Sequence, residues 1–318
     1  MEKAPEFYTL EKGILALKDQ IDALAESDDP SKMDKIARLR REIEEEWAEI
    51  VPQLTTVHIV QIARHPKRPY TLDYIPVLFQ DFMEMHGDRR FADDPAIVAG
   101  LASYKGRTMA VIGHQKGRTT KTRIERNFGQ ANPEGYRKAL RVMQTAEKFG
   151  YPVITLVDTP GAYPGIGGEE RGQAEAIAYN LKMISTLKVP IINVVIGEGG
   201  SGGGLGIGFG DQLMMLEYSF YSVISPEGCA AILWKDQSAV DRAAENLGIR
   251  ATTLLELGII DRIIPEPPGG AHIDPQQTFK NVDKYVYQAL KKLEDKSAAD
   301  LVAERYQKIR KWGVFVEK

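Results

Sequence analysis

The sequence predicts an α/β fold in which much of the sheet is parallel. From about residue 95, short apolar runs alternate with segments of helical periodicity, which is the pattern of strand–helix–strand units. Two of these runs, residues 153–158 and 190–197, are largely apolar, and a glycine-rich turn follows each of them. Such runs are typical of buried strands that end at the carboxyl edge of a parallel sheet.

The first fifty or so residues predict two helices. Asp29-Pro30 supplies an N-cap and a proline at the first position of the second helix. Its apolar residues recur three or four positions apart: Met33, Ile36, Leu39, Ile43, Trp47 and Ile50. Because the opposite face is charged, the hairpin is expected to bury one stripe, either against the rest of this chain or against a partner subunit.

The central region predicts alternating strands and helices. Residues 97–104 and 108–112 are expected to form adjacent strands around the turn Lys105-Gly106-Arg107. A helix is expected from Asn132-Pro133 to residue 149, because Gly150 follows it, and another over 169–187. The run at 190–197 leads into a glycine loop and a short helix, and 213–216 and 221–224 are predicted strands. The tail predicts helices at 279–293 and 297–312, the second opened by a Ser297–Asp300 capping box.

Composition restricts the class of protein. The chain has 318 residues, 43% of them hydrophobic and 27% charged, which is typical of a globular protein. A single cysteine, Cys229, excludes an internal disulfide and is typical of the cytoplasm. We see no secretory signal in the first residues and no apolar run long enough to span a membrane, so a cytoplasmic location is expected.

The charge is unevenly distributed, although the net charge is only −3. Residues 105–148 contain eleven Lys and Arg residues against three acidic ones. A local basic block in an otherwise acidic protein favours an anionic ligand over nucleic acid, which usually requires a basic domain. A solvated helix face is the simpler alternative for any one of these residues.

Two glycine turns carry the chemistry that the sequence predicts. The first turn spans residues 158–168 and the second turn spans residues 197–204. Glycine allows backbone N–H groups to approach a ligand closely, and a helix that opens from such a turn presents unpaired N–H donors. Two adjacent turns of this kind can direct two N–H groups at one oxygen, which is an oxyanion hole.

The second turn also fits two other patterns. Gly197, Gly199 and Gly202 match a dinucleotide fingerprint, with Glu217 at the distance of a ribose contact, but the following stretch is short for a crossover helix. Gly199-x-Ser201-x-Gly203 matches the nucleophile elbow of serine hydrolases, with Asp261 and His272 as the available acid and base. The remaining histidines have no metal-ligand spacing, so we expect no metal in this chain. A non-catalytic scaffold, in which the turns only pack, is the third possibility.

Long strings of residues carry a resemblance to a known family. They are Ala63–Pro66 (ARHP), residues 68–75 (RPYTLDYI), 86–89 (HGDR), 127–129 (NFG), 133–139 (PEGYRKA), 158–165 (DTPGAYPG), 169–173 (EERGQ), 197–203 (GEGGSGG), 221–236 (YSVISPEGCAAILWKD) and 254–272 (LLELGIIDRIIPEPPGGAH). On these strings the chain resembles the alpha subunits of acetyl-CoA carboxylase carboxyltransferases, which belong to the crotonase-like superfamily. One departure is Gly204-Leu205-Gly206, where such sequences usually have Ala-Leu-Ala.

The resemblance implies a fold and a reaction. It implies an N-terminal helical extension over residues 1–60 and a crotonase-like carboxyltransferase domain over residues 61–318. That domain is expected to have a ββα spiral core and C-terminal helices. It implies transfer of the carboxyl group from carboxybiotin to acetyl-CoA, which gives malonyl-CoA, the first committed step of fatty acid biosynthesis. No pair of titratable side chains stands out in the sequence as a general acid and base, and the resemblance accounts for this, because biotin supplies the base in such enzymes.

The resemblance also implies site residues and partners. The backbone oxyanion hole corresponds to Gly161, Ala162, Gly202 and Gly203. Residues expected to bind substrate or biotin are Pro160, Tyr163, Gly199, Gly200, Ser201, Lys116, Arg118, Lys121, Arg123 and Arg126. Expected partners are a zinc-ribbon beta subunit in an alpha-2 beta-2 assembly, a biotin carboxyl carrier protein and biotin carboxylase.

Overall fold

One twisted sheet organises the chain in a computed structural model, which describes residues 6–25 and 32–313. Eight strands make up this sheet within the described residues. They are β1 (Gln80–Glu84), β2 (Ile97–Tyr104), β3 (Arg107–His114), β4 (Val153–Thr159), β5 (Ile191–Gly200), β6 (Gln212–Leu216), β7 (Phe220–Ser222) and β8 (Arg262–Ile264). Their order is β1-β2-β3-β4-β5-β6-β8, and β7 pairs with the end of β5.

Most of the pairing is parallel, as predicted. β1, β2 and β3 are antiparallel neighbours, whereas β3 through β6 and β8 run parallel. The turn between β2 and β3 consists of Lys105 and Gly106, both with positive φ (48° and 79°), which is the two-residue turn that matches strand twist. The predicted α/β class and this hairpin are confirmed.

Helices pack on both faces of the sheet. They are α1 (Phe7–Leu10), α2 (Lys12–Ala25), α3 (Met33–Ile50), α4 (Thr56–Ala63), α5 (Thr71–Leu78), α6 (Thr120–Glu125), α7 (Pro133–Phe149), α8 (Ile166–Glu170), α9 (Gln173–Ile184), α10 (Ser201–Leu205), α11 (Pro226–Leu233), α12 (Val240–Leu247), α13 (Ala251–Glu256), α14 (Pro275–Leu293) and α15 (Ala298–Arg310). None of the described helices combines the length and apolar character that crossing a bilayer requires.

The sheet separates two apolar cores because alternate residues of each strand point to opposite faces. Val153 and Val157 of β4 pack with α7 and α9 on one face. Ile154 and Leu156 pack with α5 and α14 on the other. β4 and β5 are buried along their whole lengths, which explains their uniformly apolar sequences.

The N-terminal helices bury their stripe against the rest of this chain. Phe7, Ile14 and Trp47 form an apolar cluster with Tyr218 and Ile273, among others, from the body of the protein. These residues of the hairpin therefore pack against the rest of this chain, which is the first of the two predicted alternatives. The predicted cap at positions 29 and 30 lies outside the described residues, and the division at residue 60 remains a prediction.

Several predicted elements have different bounds in the structure; for example, the helix expected at 279–293 begins at Pro275. The helix expected over 169–187 is two helices, α8 and α9, because Gly172 between them has a left-handed backbone (φ 82°). The strand expected at 221–224 is β7, which ends at Ser222. In the tail, Ser297 caps α15 as predicted, since its hydroxyl accepts the N–H of Asp300.

Candidate active site at the carboxyl edge of the sheet

The two glycine turns follow neighbouring parallel strands and touch each other. Thr159 at the end of β4 pairs with Gly199 near the end of β5. A Cβ atom at Gly203 would lie 2.5 Å from the carbonyl carbon of Gly161 and 2.6 Å from the nitrogen of Ala162. Only glycine permits this approach, so the structure brings the predicted Gly161–Ala162 and Gly203 regions into one site.

Backbone N–H groups are available where the turns meet. Gly202 and Gly203 lie in the first turn of α10, where N–H groups have no acceptor within the helix. The N–H of Ala162 has no hydrogen-bond partner among the described residues. In contrast, the N–H of Gly161 donates to Thr159 Oγ1 at 3.1 Å, and the Thr159 hydroxyl donates to the Gly161 carbonyl at 2.8 Å. The first turn is thereby braced locally, and Ala162 is its free donor.

Other predicted contact residues surround these amides. Pro160 and Ser201 are exposed, and Ser201 opens α10 with a left-handed backbone (φ 50°). Tyr163 is half-buried, and its N–H donates to the Ala131 carbonyl at 3.0 Å. Gly199 and Gly200 are buried within β5: a Cβ at Gly199 would lie 2.0 Å from the Tyr221 ring, and one at Gly200 would lie 2.3 Å from the Pro160 carbonyl oxygen.

A network of buried charges lies beneath the turns. Lys116 Nζ is 2.8 Å from Asp158 Oδ1 and 2.6 Å from Glu198 Oε1, and Arg64 Nε donates to Glu198 Oε2 at 2.7 Å. Burial alone would raise the pKa of Glu198, but the charges of Lys116 and Arg64 outweigh it and lower that pKa. Burial raises the pKa of Asp158 above its ordinary value despite Lys116.

Sequence reasoning did not single out Asp158, Glu198 or Arg64. The available signal was the position of the two carboxylates, each at the end of an apolar strand and the start of a glycine turn. Lys116 was expected to meet an anion, and the anions that it meets in the structure are these two side chains.

The other four cations that were expected to bind ligand make different contacts. Arg118 pairs with Asp73 at 2.6 Å and lies over the Tyr70 ring. Lys121 and Arg123 are exposed on α6, and Arg126 donates to the Pro95 carbonyl at 2.6 Å. Within the described residues, neither Arg123 nor Arg126 has a carboxylate partner.

A strained loop joins the basic block to the charge network. Asn127, Phe128 and Gly129 all have positive φ (46°, 56° and 80°), a conformation that is unfavourable for the first two. A Cβ at Gly129 would lie 2.7 Å from Lys116 Cγ, so the loop packs directly on the lysine side chain. The α6 helix and its cations are therefore held next to the site.

The alternative readings of the second turn find no support in this geometry. The imidazole of His272 hydrogen-bonds Glu11 at 2.8 Å, and Asp261 binds Lys308 and the Leu213 N–H, so neither residue is oriented for Ser201. For the dinucleotide pattern, Gly197 and Gly199 lie inside β5 rather than in a phosphate-binding turn, and the helix that follows has only five residues.

His65 and His272, which the sequence analysis did not connect, lie together. The carboxylate of Glu11 is 3.1 Å from His65 Nε2 and 2.8 Å from His272 Nε2, and the three potential ligand atoms lie within 4.8 Å of one another. However, the two rings are stacked, with centroids 3.7 Å apart and planes at 21°. Lone pairs of imidazole lie in the ring plane, so nearly parallel stacked rings are poorly placed to bind one ion. The cluster links α1 and α2 to the body of the protein.

Comparison with known proteins assigns the chain to a family. The profile of the family described as acetyl co-enzyme A carboxylase carboxyltransferase-like matches residues 7–313. This chain belongs to that family. It is 52% identical over 314 residues to the acetyl-coenzyme A carboxylase carboxyl transferase subunit alpha of Azoarcus sp., covering 98% of each chain. It is 53% identical over 317 residues to the subunit of the same name from Neisseria gonorrhoeae, covering 99% of each.

Solved structures show the same fold at low identity. Transcarboxylase 12S with methylmalonyl-coenzyme A superposes with a TM-score of 0.59 at 18% identity, over 72% of this chain and 43% of that one. A Pseudomonas malonate decarboxylase hetero-tetramer in complex with coenzyme A superposes with a TM-score of 0.56 at 16% identity, over 67% and 85%. The predicted crotonase-like fold and the function as a carboxyltransferase alpha subunit are confirmed.

Proposed function

We propose that this chain acts with a beta subunit to move a carboxyl group from biotin to acetyl-CoA, and that main-chain amides of its two glycine turns perform the catalysis. The observation that supports the proposal is the contact between the turns at Gly161, Ala162 and Gly203. Amides that converge from two turns suit a reaction that develops negative charge on an oxygen.

The residues present fit a small oxyanion better than a bulky group. Gly203 is buried against the first turn, whereas a Cβ at Gly202 would make only ordinary contact with Ile177 at 3.4 Å, so the approach from Gly202 is open. When bound, biotin on a partner carrier supplies the activated carboxyl group. The chain's own contribution is to hold the developing oxyanion with the N–H groups of Ala162, Gly202 and Gly203, with Gly161 completing the turn.

Side chains around the amides bind and orient rather than transfer protons. Pro160, Tyr163 and Ser201 line the approach from the two turns, and Gly199 and Gly200 set the backbone beneath them. Arg118, Lys121, Arg123 and Arg126 attract anionic groups of the carrier or the coenzyme A phosphates, because positive charge beside a cleft raises the local concentration of anions.

The family name also indicates an assembly. We propose a zinc-ribbon beta subunit that holds acetyl-CoA, in an alpha-2 beta-2 complex that works in the cytoplasm with a biotin carboxyl carrier protein and biotin carboxylase. This chain then needs no metal of its own.

Reconstitution tests the proposal. The chain is mixed with the beta subunit from the same genome, and conversion of malonyl-CoA to acetyl-CoA is measured with and without free biotin. We expect turnover only when both subunits and biotin are present. Turnover by the chain alone, or thioester hydrolysis that needs no biotin, would support a hydrolase instead, and a folded complex without turnover would support a scaffold.

A further inference from the structure

We propose that Lys116 is a positioning residue that fixes the two glycine turns relative to each other. The proposal rests on the proposed carboxyl transfer and adds to it a residue that acts on the amides without touching the substrate. Its basis is the way in which charged groups join the last residues of β4 and β5.

Lys116 bridges the two strands that carry the turns. Its ammonium group binds Asp158 on β4 and Glu198 on β5 at 2.8 and 2.6 Å. The side chains are 13%, 1% and 5% exposed for Lys116, Asp158 and Glu198, so solvent screens these contacts little. The bridge joins the first residue of the first turn, Asp158, to the second residue of the second turn, Glu198.

The bridge is located where the regular pairing of the strands fails. Val157 pairs with Val195, but Thr159 pairs with Gly199, so the register shifts between these positions. The Asp158 carboxylate occupies this irregular segment: its Oδ1 accepts the Glu198 N–H at 2.9 Å, and a Cβ at Gly197 would lie 2.4 Å from the same oxygen. Between these two ladder positions, the contacts of Asp158 and Lys116 with Glu198 link the strands.

Lys116 is also held from its other side. The left-handed loop at Gly129 packs on its aliphatic chain, and Arg64 balances the second charge of the network through Glu198. Because Asp158 and Glu198 are both buried, removing the lysine from them to bind a substrate anion would leave the Asp158 carboxylate without a cation partner. The geometry therefore favours a positioning role over direct contact.

The first test is the kinetics of Lys116→Met in the complex with the beta subunit. We expect kcat for biotin-dependent conversion of malonyl-CoA to fall by about 10- to 100-fold, because displacing a catalytic group by about 1 Å costs up to about 100-fold in rate. The KM values for malonyl-CoA and free biotin should change less than about twofold, because no binding contact is removed. A raised KM with unchanged kcat would overturn the proposal in favour of direct contact.

A double variant separates positioning from stability. Lys116→Met leaves the buried Asp158 carboxylate without its cation, so the melting temperature of this variant should fall. Lys116→Met combined with Asp158→Asn removes both charges and retains an oxygen that accepts the Glu198 N–H. We expect the double variant to regain thermal stability while kcat remains at least about tenfold low, because the link to Glu198 is still missing. Recovery of kcat together with stability would show a merely structural lysine and overturn the proposal. A wild-type complex without biotin-dependent turnover would overturn the proposed function itself, and this proposal with it.

Discussion

The approach of Gly203 to the first turn joins the two parts of the proposed oxyanion hole, and a single substitution perturbs it. In Gly203→Ala the new Cβ would lie 2.5 Å from the carbonyl carbon of Gly161, whereas ordinary van der Waals contact begins at 3.4 Å. The turns must therefore separate by about 0.9 Å, the difference between these distances. The atoms of Gly161 and Ala162 that the new Cβ would meet belong to the backbone of a braced turn. The clash therefore cannot be relieved by moving a flexible side chain.

A separation of about 1 Å has a predictable effect on rate. Misplacing a catalytic group by this amount costs up to about 100-fold, and losing one oxyanion donor costs about 100- to 1,000-fold. We expect kcat of the reconstituted complex to fall by about 100-fold, which corresponds to about 2.7 kcal/mol of transition-state stabilisation. Overpacking at one position destabilises a fold by about 1–3 kcal/mol, so the chain should stay folded.

The assay is biotin-dependent turnover of malonyl-CoA, with thermal unfolding followed in parallel. Gly13→Ala in α2 is the matched control, because its Cβ would make an ordinary contact at 3.5 Å with Glu46 of α3 rather than with either turn. The control should match the wild-type kcat. If Gly203→Ala kept the wild-type kcat as well, the amides at this contact would not be catalytic and the reasoning would be refuted.

Three further predictions follow from the site and its support. Ser201→Ala should keep most of the activity, because the His272 and Asp261 side chains, the base and acid of the elbow pattern, are hydrogen-bonded elsewhere; a serine nucleophile would lose about three orders of magnitude in kcat. Arg123→Ala with Arg126→Ala should raise the KM for malonyl-CoA and weaken its dependence on salt, and unchanged kinetics at low and high ionic strength would assign both residues to a solvated face. Arg305→Met should lower the free energy of unfolding by about 3–5 kcal/mol in urea titrations, because it leaves Asp211 charged in a buried position, whereas the exposed Arg310→Met should change it by less than about 0.5 kcal/mol.

The sequence predicted those parts of the fold that depend on local pattern. The strands β4 and β5 were predictable because burial on both faces requires an unbroken apolar run. The turns were predictable because several glycines directly after such a run indicate a tight turn. The helix over 169–187 was predicted without its break, because the left-handed conformation of Gly172 depends on how α8 and α9 pack.

Contacts between distant residues were not predictable in the same way. Arg64 and Glu198 are 134 positions apart, and no periodicity connects them. The basic block correctly marked a charged region, but the sequence did not separate the buried Lys116 bridge from the exposed cations of α6, because that distinction depends on which residues the loop at Gly129 covers.

The Glu11–His65–His272 cluster bears on how related sequences can diverge. Glu11 and His272 are 261 positions apart, yet they share a buried hydrogen bond, and the imidazole of His65 stacks on that of His272. Replacing one member alone leaves a polar group in the interior without its partner, which costs about 1–3 kcal/mol. Across an alignment of homologues, these three columns should accordingly vary together or not at all.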